Sequence, residues 1–334
     1  MAKKEKIWAL LVHLSKHMWA TRYDTLPFDD DFWTYILEES VKAGLNTIVL
    51  DIGDGIQFAS HPEIAMNGAW SRKRVRQEVK RCKEMGITLI PKLNFSTCHD
   101  YWLGEYHNMT STNVYYRLAN DLIKEVYNLF DQPEYIHLGM DEENAQDVGS
   151  RELAIFRQKE VYWHDLNFLL DCVADTGARP WIWSCPLFQH PEEFRAHVGV
   201  KDAVISPWYY HAMKEENWTP ISSSQEYIDY YARACFKGLN LTYVEQDPYH
   251  SMVRREALKG LQDGFDYVPC ASTYNKVDIN TAELVEYFKE NGPDDQILGY
   301  MTAPWCTTVP TEYSKRHIDL SLKFMKEAKE KFYK

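Results

Sequence analysis

The sequence predicts an α/β fold, a (β/α)8 TIM barrel, from three observations. Eight short apolar runs alternate with longer segments of helical periodicity, which is typical of a parallel sheet with helices between its strands. The 334 residues can hold a barrel of about 250 residues and long loops. Gly44, Gly86, Gly177 and Gly238 each follow a helical segment, as helix C-terminal caps do. We expect one domain over residues 1–334, because no linker or repeat divides the sequence.

The predicted strands are short apolar runs bounded by polar or turn residues. In chain order they are Ile7–Val12, Asn46–Asp51, Ile87–Leu93, Tyr135–Gly139, Pro180–Trp183, Ala203–Pro207, Tyr267–Ala271 and Ile297–Met301. The helical segments are Asp30–Ala43, Ser71–Met85, Thr112–Phe130, Arg151–Thr176, Ser224–Phe236, Met252–Leu261, Thr281–Glu290 and Glu312–Phe332. A ninth strand-like run, Asn240–Glu245, predicts either an excursion from the barrel around residues 237–250 or an added strand.

Charge and composition exclude several classes of function. The formal net charge of -12 argues against nucleic acid and against an anionic membrane as partners. No apolar run approaches the ~20 residues that cross a bilayer. The run after Lys6 is interrupted by His13 and no small-residue cleavage site follows, so we expect no signal peptide here. The compartment and the oligomeric state stay open. Seven dispersed cysteines without C-x-x-C spacing predict buried free thiols rather than a disulfide framework or a zinc site. We expect no metal and no cofactor.

One predicted strand, Tyr135–Gly139, runs almost directly into three consecutive carboxylates, Asp141, Glu142 and Glu143. Barrel enzymes carry their active sites at the carboxyl ends of the strands. Adjacent like charges at a buried strand end are costly, so one of them should take up a proton. A neighbouring ionised and protonated carboxyl pair is what glycosidic bond cleavage requires. We therefore place the chemistry at Asp141 and Glu142, and we expect Glu143 to be solvated.

Alternation of side chains along this strand predicts which residues face the barrel interior. His137, Gly139 and Asp141 share one face, while Leu138 and Met140 share the other. The first face should line the interior and the second should pack under a helix. His137 is interpreted equally well as a buried core histidine or as a substrate ligand.

Polar and aromatic residues are predicted at the ends of the other strands as well. They are Asp51 after the second strand, Asn94 and His99 after the third, Trp183 after the fifth, Trp208 after the sixth, Tyr274 after the seventh and Trp305 after the eighth. Apolar faces of sugars stack on aromatic rings, while sugar hydroxyls bond to carboxylates and imidazoles. The set therefore predicts a carbohydrate as the partner.

The segment from His137 to Glu142, His-Leu-Gly-Met-Asp-Glu, resembles the His-x-Gly-Gly-Asp-Glu signature of glycoside hydrolase family 20, the β-N-acetylhexosaminidases. Further segments are similar to that family over most of the chain. They are Ile90–Asn94 with the following His99, the aromatic residues Trp183, Trp208 and Tyr274, and Ile297–Tyr300 with the following Trp305.

The resemblance implies a retaining, substrate-assisted hydrolase that cleaves terminal N-acetylamino sugars. The 2-acetamido oxygen of the sugar would attack the anomeric carbon, with Asp141 orienting the acetamido group. Glu142 would be the general acid and then the general base, with a pKa raised towards neutrality. Tyr274 would bond to the acetamido oxygen, and the three tryptophans would wall the pocket.

Departures from the family pattern put the identity of the sugar in doubt. The family has an arginine near its first strand, and the nearest arginine here is Arg22. The resemblance would place an acidic residue shortly after Trp183 and another shortly after Trp305. Ser184 and Cys185 follow the first tryptophan and Cys306 follows the second, so both acids are absent. We therefore expect a divergent, barrel-only relative of the family.

Two other functions fit the same residues. The first is a two-carboxylate retaining glycosidase, with Glu142 as acid/base and Glu245 as nucleophile about 5–5.5 Å away. The second is a non-catalytic carbohydrate-binding relative that kept the pocket and lost turnover. The acidic run could also simply begin a helix, where carboxylates interact favourably with the helix dipole.

Overall fold

Parallel strands form one continuous sheet in the computed structural model, which describes residues 5–17, 23–143, 155, 157–210, 212–214, 264–274 and 278–334. The strands are β1 (Ile7–His13), β2 (Thr47–Asp51), β3 (Thr88–Lys92), β4 (Tyr135–Gly139), β5 (Arg179–Trp183), β6 (Val204–Ser206), β7 (Asp266–Tyr267), β8 (Cys270–Ala271) and β9 (Gly299–Thr302). Their order in the sheet is β7-β6-β5-β4-β3-β2-β1-β9-β8, so neighbours in sequence are neighbours in space.

The two end strands of this sheet are consecutive in the chain, and they close it into a barrel. Only Val268 and Pro269 separate β7 from β8. The Val268 N–H donates to the carbonyl of Ile205 at 3.0 Å, and the carbonyl of Pro269 accepts from the N–H of Met301 at 2.9 Å. The segment is therefore bonded on both sides, and the predicted (β/α)8 TIM-barrel fold is confirmed. The single strand predicted over Tyr267–Ala271 is instead two short strands, because Pro269 has no N–H for the ladder.

Helices surround the barrel between the strands. They are α1 (Asp30–Lys42), α2 (Arg72–Glu84), α3 (Asn113–Leu129), α4 (Lys159–Ala174), α5 (Cys185–Gln189), α6 (Pro191–His197), α7 (Asn280–Asn291) and α8 (Glu312–Phe332), with 3-10 turns at Pro62–Ile64 and Tyr101–Met109. Side-chain caps start several of them: Asp29 accepts from the N–H of Phe32, and Thr311 from that of Ser314.

Three predicted elements lie outside the described residues. They are the helices Ser224–Phe236 and Met252–Leu261 and the strand-like run Asn240–Glu245. Of the helix predicted over Arg151–Thr176, residues 151–154 and 156 also lie outside the described residues, and a helix spans Lys159–Ala174. Arg157 precedes this helix, and its guanidinium is held in a buried ion pair.

The core has two layers, as the alternation along the strands predicts. Side chains such as Leu138 and Met140 pack outwards beneath the helices, and Val49, Tyr135 and Trp181 fill the barrel interior. This arrangement directs the last interior residue of each strand into the carboxyl-terminal mouth of the barrel. Among the described helices, none has both the length and the apolar composition of a membrane-spanning segment.

Candidate active site

The end of β4 turns sharply into the barrel mouth through an unusual backbone. Three residues here have a positive φ: Gly139 (74°), Met140 (65°) and Glu142 (56°). This left-handed conformation is unfavourable for every residue except glycine. A Cβ atom at Gly139 would lie 2.0 Å from Oδ1 of Asn94. Met140 stands where the family 20 signature has its second glycine. Its side chain is 1% exposed in the outer core, and this burial offsets the strain of the left-handed backbone. Such strain is found at functional sites, and here it aims Asp141 and Glu142 at the mouth.

The two carboxylates share one imidazole. Nε2 of His99 lies 3.2 Å from Oδ2 of Asp141 and 3.1 Å from Oε2 of Glu142. The side-chain amide of Asn94 donates to Oδ1 of Asp141 at 3.1 Å. The Asp141 side chain is 11% exposed and that of Glu142 is 28% exposed. Asp141 is therefore fixed on both oxygens, while Glu142 reaches towards solvent and any bound molecule.

Charge around Asp141 keeps it ionised. Burial alone would raise the pKa of Asp141, but His99, Lys92 and the Asn94 amide lower it to about 2. Burial alone would lower the pKa of His99, and the Asp141 carboxylate outweighs that and raises it well above the ordinary value. The pair is thus an imidazolium beside a carboxylate at neutral pH.

A polar layer lies directly beneath these groups. His13, Asp51, Lys92 and His137 stand side by side in the registers of β1 to β4. Nζ of Lys92 donates to Oδ2 of Asp51, and Nδ1 of His13 lies 3.5 Å from the same oxygen. Asp51 is 3% exposed, and burial raises its pKa although Lys92 acts in the opposite direction. Asp51, predicted to bind substrate, therefore lies below the mouth and is already bonded to Lys92.

His137 is neutral in this layer. Burial, with a further contribution from Lys92, holds its pKa well below the ordinary value. Its Nδ1 accepts from the N–H of Gly139 at 3.0 Å, so Nε2 carries the proton. Within the described part of the chain this Nε2–H has no hydrogen-bond partner, and neither has the indole N–H of Trp183. Both donors lie beside one another, with ring centroids 4.8 Å apart.

Aromatic rings form a wall next to the carboxylates. Trp183 and Trp305 lie 5.9 Å apart between ring centroids, and Tyr210 lies 6.3 Å from Trp305 and 5.2 Å from Trp208. The structure thus brings together the three tryptophans predicted from three different strand ends. Lys16 donates from Nζ to the carbonyl of Trp305 at 3.0 Å, which fixes a residue whose φ is 51°.

Tyr274 is more exposed than the rings of this wall. Its side chain is 55% exposed after β8, and its backbone N–H donates to Oγ of Ser272 at 2.9 Å. The next residues, 275–277, lie outside those described. Tyr210 was not among the predicted site residues, although it follows the sixth strand only two positions after Trp208. Burial raises its pKa, and the nearby Glu142 and Asp141 carboxylates add to the effect.

Glu143 is buried, so its predicted solvation is wrong. Its side chain is 3% exposed and pairs with the guanidinium of Arg157. Arg157 also lies 3.3 Å from Asp165 of α4 and donates to the carbonyl of Phe95 at 2.8 Å. A carboxylate in that position is stable only because the charges are paired. The group joins the loops after β3 and β4 to α4, directly beside Glu142.

Two buried cysteines border the carboxylates. The spacing of the cysteines in the sequence did not predict this position for either of them. Sγ of Cys185 accepts from the indole N–H of Trp208 at 3.1 Å, and burial together with Asp141 and Glu142 raises its pKa. Sγ of Cys98 lies 3.2 Å from the carbonyl of Asp141. Burial raises the pKa of Cys98 to about 12, so the group is a thiol.

Comparison with known proteins shows a likeness of structure. No protein-family model matches the sequence, and no curated protein is similar to it. Among solved structures, the β-N-acetylhexosaminidase of Streptomyces coelicolor, a family 20 enzyme, superposes with a TM-score of 0.64 at 12% identity, over 97% of this chain and 64% of that one. The barrel is similar to those of glycoside hydrolase family 20.

Two further family 20 structures agree with this. The exo-β-N-acetylglucosaminidase of Vibrio harveyi, solved in complex with N-acetylglucosamine, gives a TM-score of 0.62 at 14% identity over 97% of this chain and 54% of that one. The chitobiase of Flavobacterium johnsoniae gives a TM-score of 0.57 at 14% identity, over 98% of this chain and 52% of that one. This chain spans roughly half to two thirds of the family 20 chains it matches. Identities this low establish the fold.

Proposed function

We propose that this protein is a glycoside hydrolase that removes terminal N-acetylamino sugars by substrate-assisted catalysis. The observation that carries the proposal is the pair Asp141 and Glu142, which share one imidazole at the end of β4 and lie near the Tyr210 ring of the aromatic wall. Glycosidic bond cleavage needs one carboxyl that stays ionised and one that exchanges a proton, and different surroundings supply that difference. The likeness to family 20 barrels adds support.

Asp141 would act on the acetamido group of the sugar. In the first step the acetamido oxygen attacks the anomeric carbon, the glycosidic bond breaks, and positive charge develops on the acetamido nitrogen. A carboxylate with a pKa of about 2 is ionised at neutral pH and can accept the N–H of that group. His99 occupies one lone pair of Oδ2 of Asp141, and Asn94 occupies one lone pair of Oδ1. Each carboxylate oxygen has a second lone pair that can still accept a hydrogen bond. Asp141 can thus bind the acetamido N–H without losing its supports.

Glu142 would move the proton. It would give a proton to the departing glycosidic oxygen as the sugar closes on its own acetamido oxygen. It would then take a proton from the water that opens the cyclised intermediate, so the anomeric configuration is retained. Its side chain is the more exposed of the two, which suits contact with a leaving group and with water. Trp183, Trp208 and Trp305 would pack on the sugar, and Tyr274 would bond to the acetamido oxygen.

A panel of nitrophenyl glycosides tests this function. We expect turnover of sugars that carry the 2-acetamido group and none of the matching 2-hydroxy sugars. Glu142→Gln should lower kcat at least ~100-fold on substrates with poor leaving groups and less on nitrophenyl substrates, because general acid catalysis matters least when the leaving group is good. Cleavage restricted to sugars without the acetamido group would overturn the proposal.

The two-carboxylate alternative places the nucleophile at Glu245, which lies outside the described residues. Glu245→Ala separates the two mechanisms. We expect turnover near that of the unmodified protein, whereas loss of turnover with rescue by azide would favour the alternative. Sugar binding by the unmodified protein without turnover of any amino-sugar glycoside would favour the non-catalytic relative.

A further inference from the structure

Three donor atoms of different chemistry converge in the barrel mouth. Sγ of Cys98, an imidazole nitrogen of His99 and a carboxylate oxygen of Glu142 all lie within 4.8 Å of one another. Two of them come from the loop after β3 and the third from the loop after β4. Because Cys98 and Glu142 are 44 positions apart, the spacing of the cysteines in the sequence gave no indication of this group.

We propose that Cys98, His99 and Glu142 bind Zn²⁺ or a similar borderline-soft divalent ion, which switches the site off reversibly. Thiolate, imidazole and carboxylate are the ligands that zinc takes in proteins, whereas Mg²⁺ and Ca²⁺ take oxygen atoms. The inhibition rests on the proposed function, because the ion would occupy the carboxylate that moves the proton. The binding itself does not depend on that function.

To close around an ion, the ligand atoms have to approach one another from a spread of up to 4.8 Å. Zinc bonds of about 2.3 Å to sulfur and 2.0–2.2 Å to nitrogen and oxygen put tetrahedral ligands ~3.5 Å apart. Nε2 of His99 and Oε2 of Glu142 are already 3.1 Å apart. Oδ2 of Asp141, 3.2 Å from the same Nε2, or a water from the pocket can supply a fourth ligand. Binding would displace the Nε2 proton and the thiol proton into solvent.

The surroundings favour an ordered site with an entrance. Ser96, Thr97, Cys98 and His99 are all at most 2% exposed, so two of the ligands are fixed by packing. Oγ of Ser96 lies 3.0 Å from Sγ of Cys98, in the position of an outer partner that orients a metal ligand. Glu142 is the exposed member, at 28%, and it opens the site to the pocket.

Co²⁺ is a spectroscopic probe of such a site, since it absorbs strongly when a thiolate binds it. The experiment titrates tag-free, chelator-treated protein with Co²⁺, and with Zn²⁺ in a calorimeter. The matched variants are Cys98→Ser, which removes the sulfur ligand, and Cys82→Ser, which changes an equally buried cysteine on α2. We expect one thiolate-to-cobalt absorption band per chain in the unmodified protein and in Cys82→Ser, and none in Cys98→Ser. Zn²⁺ affinity should fall at least ~10-fold in Cys98→Ser.

Turnover of an acetamido glycoside supplies the second readout. Zn²⁺ should inhibit the unmodified protein and Cys82→Ser, and a chelator should restore their activity. Cys98→Ser should need at least ~10-fold more Zn²⁺ for the same inhibition.

Equal Co²⁺ spectra in the two variants would overturn the site, and so would the absence of a band in the unmodified protein. Binding without inhibition of an active enzyme would overturn the switch. If Cys98→Ser unfolds, by circular dichroism, Glu142→Gln should show the weakened Zn²⁺ binding instead. A protein that turns over no glycoside but shows the Cys98-dependent band would refute the proposed function and leave the metal site standing.

Discussion

Asp141 and Glu142 are chemically similar neighbours with different surroundings, and the difference comes from side chains that are distant in sequence. Asn94 and His99, from the loop after β3, hold Asp141 on both oxygens. Glu142 has the same imidazole on one side and a more open position on the other. A site for acid–base chemistry needs one fixed charge and one group free to exchange a proton. The division of labour is therefore set by the β3 loop as much as by the β4 motif.

The role of Tyr274 is a prediction that substitution can check. Tyr274→Phe should lower kcat on acetamido glycosides by about 10–100-fold, because a hydrogen bond to a group that is gaining charge contributes roughly 1.5–3 kcal/mol. Tyr313→Phe is the matched control, since Tyr313 is a neighbouring tyrosine of similar exposure, 45% against 55%. It should leave kcat unchanged. A loss in Tyr210→Phe with normal kcat in Tyr274→Phe would contradict this assignment and give the role to Tyr210.

At the scale of single residues, the sequence identified the acids together with Asn94 and His99, which hold Asp141, but it missed other groups that act on the site. The strand pattern before Asp141 was sufficient to place it at the mouth, because alternation and barrel geometry are local rules. Lys92 and Cys98 were missed for the opposite reason. Each acts on a residue more than forty positions away, and such contacts depend on the register between strands. The burial of Glu143 depends in the same way on Arg157, which the helical pattern had placed inside a helix.

The elements β3 and β4 interlock at their carboxyl ends through Gly139. We expect Gly139→Ala to lower kcat/KM about 100-fold, because the new Cβ would displace Asn94 and with it Asp141. It should also destabilise the fold by about 2–4 kcal/mol, from a left-handed backbone and overpacking together. Activity assays and urea unfolding measure the two effects.

Gly86→Ala is the control for backbone strain alone. Gly86 has nearly the same φ, 77° against 74°, and a Cβ there would meet nothing within 4 Å. It should cost about 1–2 kcal/mol of stability and leave kcat/KM unchanged. If Gly139→Ala kept full activity, the contact with Asn94 would not be what positions Asp141.

Arg157 connects three elements, and removing its charge should be costly. Arg157→Leu leaves Glu143 and Asp165 as buried carboxylates without their shared cation, for which we expect about 3–5 kcal/mol of destabilisation. Chemical denaturation measures it. For comparison, Lys83 and Asp131 form a pair in which both side chains are mostly exposed, and Lys83→Leu should change stability by no more than about 0.5 kcal/mol. Similar losses at the two sites would contradict a buried network.

Predicting elements from sequence succeeded where packing follows a simple period. The helices α1, α2 and α8 begin and end within one or two residues of the predicted segments, since an apolar face and a capping residue define each of them. The sequence placed the seventh strand correctly but did not predict that Pro269 interrupts it. The interruption depends on whether the missing N–H of Pro269 points towards a neighbouring strand. Local patterns do not contain that information.

The barrel as a whole links its stability to whatever the mouth binds. Strands β1 to β4 each deliver one member of the polar layer, and the aromatic wall comes from β5, β6 and the segment after β9. Residues from all around the cylinder therefore meet only in the folded state. A ligand that binds this set and not the unfolded chain must raise the free energy of unfolding.

A thiazoline that mimics the cyclised intermediate tests this link even if turnover is absent. At 100 times its Kd a ligand contributes about 2.7 kcal/mol. For 334 residues the unfolding entropy is ~0.7 kcal/mol/K, so Tm should rise by about 4 °C. Asp141→Asn should show a much smaller rise at the same concentration, because the ligand's ring nitrogen loses its carboxylate partner. Glucose, which has no acetamido group, should shift neither protein. Equal shifts in the two proteins would mean that the ligand binds without Asp141, and the assignment of that residue would fail.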